Sequence, residues 1–254
     1  AACWIAISRA DRVILAGDHC QLPPTIKCIE AARGGLGRTL LEKVVLHKPE
    51  TVSLLKIQYR MHEDIMRFPS RWFYHDELEA APEVKYRGIL DFDTPVSWID
   101  TSELDLQEKA VAEGTGRLNT GEAELLVREL KNYMERIGIR RILEEHIDFG
   151  VISPYRAQVH YLRHLLKKEP FFRPCRRLIT VHTVDGFQGQ ERDVIMISLV
   201  RANEKGQIGF LRDLRRMNVA ITRARMKLLI WGEAVTLTRH PFYRELYEYI
   251  GGLR

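Results

Sequence analysis

The sequence predicts an α/β fold built on a mainly parallel sheet flanked by helices. Apolar runs alternate along the chain with amphipathic segments of helical period. Two of the runs, Leu178–His182 and Val194–Leu199, are rich in β-branched residues and read as strands buried on both faces. No internal repeat or low-complexity tract breaks this alternation.

The elements follow in order. Arg12–Ala16 (RVILA) reads as a buried strand that ends in the loop 17–25. Thr39–His47 reads as a short helix and Thr51–Lys56 as another strand. His62–His75 has helical spacing, with Ile65, Met66, Phe68 and either Trp72 or Phe73 turned inward. Residues 76–118 are irregular and acidic around a strand at Val96–Asp100. Asn119 and Glu122 have capping-box spacing, and Ala123, Leu126, Val127, Leu130 and Met134 continue as a helix. Phe149–Ser153 is a strand, Arg156–Lys168 an amphipathic helix, Arg212–Ala224 a helix, Lys227–Trp231 a strand and Phe242–Ile250 a closing helix. Ligands of parallel sheets gather at the carboxyl ends of strands. That directs attention to the loops after Ala16, Ser153, His182 and Val200.

With 254 residues, 45% of them hydrophobic, the chain can bury one large domain or one and a half. No apolar run nears the roughly 18 residues of a membrane-spanning helix. The start, Ala1-Ala2-Cys3-Trp4-Ile5, carries neither an initiating Met nor a signal-peptide core, so a piece of a longer protein is expected. Cys3, Cys20, Cys28 and Cys175 form no C-x-x-C pair and have no His at zinc-finger spacing, so reduced thiols in a cytoplasmic (or, in a eukaryote, nuclear) protein are expected. The net charge of +5 is unevenly spread. Residues 61–124 hold 15 acidic and 6 basic side chains, whereas 151–180 hold 7 basic and 1 acidic, and 201–227 hold 8 basic and 2 acidic. The basic half suits a polyanion. The acids of 61–124 are scattered, with no pair at metal-site spacing, so a nuclease is set aside and no metal ligand is assigned within the chain.

Four motifs carry candidate chemistry. GDHCQLPPT (17–25) follows a strand and offers Gln21, whose amide both donates and accepts and so can position an attacking water; Pro23 and Pro24 set the exit path. QYRMH (58–62) supplies a stacking ring, Tyr59, beside a phosphate-seeking guanidinium, Arg60. HTVDGFQGQERD (182–193) joins two apolar strands through two glycines and a set of hydrogen-bonding groups that includes Thr183 and Glu191. NVAITRAR (218–225) presents Arg223 and Arg225, which point in different directions on a helix; one can face a ligand while the other pairs with an acid.

Taken together, in this order, the motifs closely resemble the later motifs of superfamily 1 helicases, above all the Upf-like group of nonsense-decay and immunoglobulin-mu-binding-protein helicases. GDHCQLPPT resembles motif III, QYRMH motif IV, VDGFQGQERD motif V and NVAITRAR motif VI, while Ser153-Pro154-Tyr155 with Gln158 resembles the accessory motif between IV and V. The resemblance implies a RecA-like P-loop NTPase fold, with residues 1–50 the end of a first RecA-like domain and 51–254 a complete second one. It further implies ATP with magnesium, 5′ to 3′ movement, and a single-stranded or partly duplex DNA or RNA partner. Gln21, Arg60 and Arg223 would be catalytic, Arg223 as an arginine finger. Tyr59, Gln58, Gly189 and Glu191 would bind the nucleotide, Tyr59 at the adenine and Glu191 at the ribose. Thr183, Tyr155 and Arg156 would lie along the nucleic-acid backbone.

The pattern departs from the family in two respects. There is no G-x-x-x-x-G-K-[ST], and the glycine-rich 34–39 (GGLGRT) lacks both its lysine and its spacing. Nor does a D-E-x-x box precede residue 12. The magnesium ligands and phosphate loop are therefore expected upstream, in a first RecA-like domain that would be this chain's partner. The chain alone is expected not to hydrolyse ATP. Without sheet neighbours for 12–16, residues 1–50 are expected to be loosely held. The alternative is a non-catalytic nucleic-acid-binding or regulatory module on a degenerate helicase scaffold.

Overall fold

The computed structural model describes residues 2–23, 26, 28–111 and 116–253. It forms two compact units, Ala1–Leu54 and Leu55–Arg254.

The first unit holds a helix at Ala2–Ile7 and another at Leu40–His47. The second starts on a complete capping box: the Thr39 hydroxyl accepts from the Glu42 amide, and the Glu42 carboxylate accepts from the Thr39 amide. The expected strand at Arg12–Ala16 does not form. Residues 13–18 are irregular and Ile14 is 95% exposed. A strand exists only by pairing, and the described residues of this unit contain no other strand to pair with it.

In the second unit five parallel strands make the central sheet: β1 (Val96–Asp100), β2 (Phe149–Ser153), β3 (Ile179–Thr183), β4 (Arg192–Ser198) and β5 (Ala224–Gly232). Their order is β1-β5-β4-β2-β3. α1 (Glu63–Phe73) precedes the sheet, crossovers pass through α2 (Thr120–Ile137), α3 (Arg156–Lys168), the single turn α4 (Val184–Phe187) and α5 (Leu214–Ile221), and α6 (Pro241–Gly251) follows the last strand. β4 is buried along nearly its whole length, as expected. β3 is an edge strand with only Val181 buried, so its apolar run does not reflect burial on both faces. The expected strand at Thr51–Lys56 is instead a 3-10 turn at Pro49–Thr51 and an irregular stretch, followed by a two-residue ladder at Ile57–Gln58 paired with Glu79–Ala80. The helix expected over Arg212–Ala224 is confined to α5, and Ala224 already opens β5.

The main core lies where α2 and α3 cover the sheet. Ala123, Leu126, Leu130 and Met134 meet Phe149, Val151, Val194, Met196 and Trp231. Strand alternation sends Ile195 and Ile197 to the opposite face. Near α1 and α6, Phe68, Trp72 and Phe242 pack edge to face and stacked, with centroids 5.1–6.1 Å apart. Gly150 is required by packing, because a Cβ there would lie 2.5 Å from Ile195 Cδ1 and 2.8 Å from Phe187 Cζ. Gly150→Ala should therefore cost about 1–3 kcal/mol through overpacking. Urea unfolding checks this, and an unchanged midpoint would refute it.

Candidate nucleotide site

The QYRMH turn is built by its own first residue. Gln58 Oε1 accepts from the Arg60 and Met61 amides at 2.9 and 2.7 Å, and its Nε2 donates to the Met61 carbonyl at 2.8 Å. The amide of Gln58 thus shapes the loop that presents Tyr59 and Arg60. Tyr59 is 68% exposed and its ring meets no other aromatic among the described residues. The His62 amide donates to the Arg225 carbonyl at 2.8 Å, which ties the turn to the first residues of β5.

That tie brings three distant segments together. Arg60 Nε donates to Glu191 Oε2, and Arg60 Nη1 donates to the Thr222 carbonyl at 2.9 Å. Arg225 grips the other oxygen, Glu191 Oε1, through Nε and Nη2 at 2.9 Å each, and reaches Asp193 Oδ1 through Nη1 at 3.2 Å. Burial acts to raise the Glu191 pKa, but the hydrogen bonds from Arg225 and Arg60 prevail and hold it below the usual carboxylate value. Arg223 is 3% exposed; it donates to the Val219 and Gln190 carbonyls at 2.9 and 3.2 Å and to Thr222 Oγ1 at 3.0 Å. It sits in the turn after α5 rather than on a helix, so helical divergence does not separate it from Arg225. Arg225 is the second residue of β5 and takes the acid-pairing role expected of one of the two arginines.

The cluster occupies the amino ends of β4 and β5, where Arg192 pairs with Ala224. This corrects the expectation that the loops after strand carboxyl ends would hold all the chemistry. Parallel register places the residues preceding neighbouring strands side by side, so Glu191 and Arg223–Arg225 meet although 32 or more positions separate them.

At the carboxyl ends lie Thr183, Arg156 and Tyr155, while Gly189 precedes β4. Thr183 ends β3 and caps α4, its hydroxyl accepting from the Gly186 amide. Arg156 opens α3 and is exposed. Tyr155 is 2% exposed, its ring against Phe210 and its hydroxyl accepting from Arg201 Nη1 at 3.3 Å, so it supports the end of the sheet from within. Gly189 has φ +82° and open space where a Cβ would stand, so backbone conformation alone calls for glycine.

In the first unit, Gln21 Nε2 donates to Asp18 Oδ2 at 2.8 Å, and the Cys20 amide donates to Asp18 Oδ1 at 2.9 Å. Pro24 and Thr25 of the same motif lie outside the described residues. Asp18, His19 and Cys20 bring three ligand-type atoms within 4.8 Å. Burial and the Asp18 carboxylate push the Cys20 thiol up to about 11, away from the thiolate that metals take.

Sequence reasoning missed a second, wholly buried network. Asn119 caps α2 by accepting from the Glu122 amide. The reciprocal half of the capping box is absent, because the Asn119 amide donates to Gln158 Oε1 instead. Glu122 turns inward, where its Oε1 accepts from Ser198 Oγ at 2.5 Å and the Val200 amide at 2.9 Å. Gln158 Nε2 completes the network on Ser198 Oγ at 3.0 Å. Burial pushes the Glu122 carboxyl up to about 7 against the lowering effect of those hydrogen bonds. No local pattern marks such a glutamate, whereas Gln158 was visible through its accessory motif.

An AAA-domain family model matches residues 36–235, and a second AAA-domain model matches residues 1–28. The chain is 36% identical over 260 residues to the DNA-binding protein SMUBP-2 of Rattus norvegicus, covering 98% of this chain and 25% of that protein. The chain belongs to the Upf-like group of superfamily 1 helicases. An uncharacterized ATP-dependent helicase of Methanocaldococcus jannaschii is 37% identical over 97% of the chain and 36% of its own length. A homolog of regulator of nonsense transcripts 1 from Drosophila melanogaster is 35% identical over 94% and 20%. The Upf-like chain thus spans about a fifth to a third of these relatives. Its five-stranded parallel sheet with flanking helices is the α/β, RecA-like fold of the group. No described helix is long and apolar enough to cross a membrane.

Proposed function

We propose that this chain is the C-terminal motor half of an ATP-dependent nucleic-acid helicase or translocase moving 5′ to 3′. The observation that carries the reading is the convergence of Arg60, Glu191, Arg223 and Arg225, drawn from three motifs, at the amino ends of β4 and β5. Two guanidinium groups on one carboxylate, with a third on the neighbouring Gln190 carbonyl, suit a nucleoside triphosphate: the cations face phosphate and the carboxylate a ribose hydroxyl. Bound ATP supplies the γ-phosphoryl group and its magnesium the neutralising charge. A phosphate loop and acidic magnesium ligands from a first RecA-like domain complete the site.

In this division of labour Arg60 and Arg223 stabilise charge at the γ-phosphate, and Tyr59 offers its exposed ring to the adenine. Gln58 acts one step back by shaping the turn. Gly189 lets backbone approach the sugar. In the first unit, Gln21, oriented by Asp18, senses the γ-phosphate. Thr183 and Arg156 contact the phosphate backbone of a DNA or RNA strand, and Tyr155 holds the sheet end that presents them. A cytoplasmic or nuclear setting fits such a substrate. Intact nucleotide groups in all the motifs favour an enzyme over a degenerate scaffold.

Phosphate release tests the reading. The 254-residue chain alone should show no ATP hydrolysis above background, because positioning is nearly all of phosphoryl-transfer catalysis. A version that also carries a phosphate-loop domain should turn over ATP and be stimulated by single-stranded nucleic acid. Turnover by the chain alone, or none by the extended protein, would overturn it.

A further inference from the structure

Helix α3 carries a row of side chains that the nucleotide cluster does not use. Arg156, His160, Arg163 and Lys167 are spaced by four, three and four residues, which places them on one helical face, and all four are exposed. The row is about 16 Å long, the rise of about five phosphates along one strand of B-form DNA. It ends beside a groove of about 420 Å³ along edge strand β3, lined by Arg163, Lys167, Arg176, Thr180 and His182 over Ile179 and Val181. Arg163 is held in place through the Val181 carbonyl, to which its Nε and Nη2 donate at 3.0 and 2.6 Å. Arg176 Nη2 reaches the Lys167 carbonyl at 3.4 Å.

Among the described residues, Arg156, Arg163, Lys167 and Arg176 form no ion pair with a carboxylate. The nearby Glu169 pairs with Lys131 instead. Elsewhere in this unit Arg140 pairs with Glu144 and Arg141 with Glu145. A row of cations left without counter-charge is an electrostatic footprint for a polyanion.

We propose that this face is a phosphate track that extends the nucleic-acid path from the carboxyl end of the sheet along α3 and the outer side of β3. The inference rests on the function proposed above. Two observations favour nucleic acid over an acidic protein segment. The row begins at Arg156, and the groove ends at His182, the neighbour of Thr183, so the track is continuous with the residues assigned to the backbone. The four row positions also present no apolar side chain, whereas the centre of a protein interface requires them. With no exposed aromatic in the row to stack a base, contact is to phosphates and independent of sequence.

Fluorescence anisotropy with the whole chain tests this, using labelled dT20, rU20 and a 20-base-pair duplex between 50 and 200 mM KCl. Lys167→Gln with Arg176→Gln should weaken binding about tenfold at 100 mM and flatten the log–log salt slope by about 1.4 on dT20 or rU20 and about 1.8 on the duplex. Adding Arg163→Gln should deepen both effects. Arg128→Gln with Arg140→Gln, on other helices, should change neither. Stronger loss on the duplex than on dT20 or rU20 assigns the track to duplex ahead of the motor, and the reverse assigns it to the translocating strand. Two results would overturn the track alone: equal affinity and slope in the double variant, or polyglutamate displacing the oligonucleotide from the wild type but not from the variant. If the wild-type chain binds none of the three probes, the proposed nucleic-acid function falls with it. Thermal melting of each variant separates lost contact from lost fold.

Discussion

Arg223→Ala, in a version of the protein that carries a phosphate-binding loop, should lower kcat for ATP hydrolysis by about 10³-fold or more and change KM far less. An arginine finger acts on charge that develops only in the transition state, and such groups are worth about 10³ to 10⁵ in kcat. The expectation rests on the arginine-finger role proposed above for Arg223. Arg223 is nearly sealed from solvent, and its guanidinium is held on the Val219 and Gln190 carbonyls and on Thr222 Oγ1. Arg223→Lys should recover only a small part of the rate, because an ammonium cannot reproduce the planar set of donors. Steady-state kinetics with a melting curve for each variant check both expectations. A kcat within threefold of wild type for the alanine variant would remove Arg223 from the catalytic assignment.

Glu122→Gln should stabilise the chain at pH 8 and change little at pH 5. The Glu122 carboxyl is fully buried, and its pKa rises from 4.5 to about 7 on folding. Between those values the folded state binds more protons than the unfolded chain, so stability falls as pH rises through the window and the loss is complete above it. The cost reaches about 3 kcal/mol at most for a shift of this size. Glutamine keeps an acceptor for Ser198 Oγ and the Val200 amide without the charge. The Tm gap between variant and wild type should therefore open from near zero at pH 5 to as much as about 6–12 °C at pH 8. Other titrating groups are common to both proteins and cancel. A gap of equal size at both pH values would show that Glu122 does not titrate in this window.

Much of this molecule is legible in order of residues. Phe149–Ser153, Arg156–Lys168 and Val96–Asp100 fall where periodicity puts them, because each buries a stripe or a face against the rest of its own unit. Arg12–Ala16 and Thr51–Lys56 have the same apolar, β-branched character but are not strands. Strand formation depends on a neighbour to pair with, and a run of residues does not contain its neighbour. The capping-box spacing appears twice and closes once: Thr39–Glu42 forms both bonds, while Asn119–Glu122 yields one of them to Gln158, 39 positions away.

The residue types of the candidate site, with their order, were determined by sequence alone: the tyrosine–arginine pair, the glutamate after two glycines, and the two arginines at the chain's later end. Only the tertiary structure decided that Arg60 and Arg225 share Glu191, that Gln58 and Tyr155 support rather than face the site, and that the cluster lies at the amino ends of β4 and β5. Local spacing sets which side chains are present and on which face of an element they stand. Which carboxylate meets which guanidinium depends on strand order and register, and these are set by packing over the whole sheet.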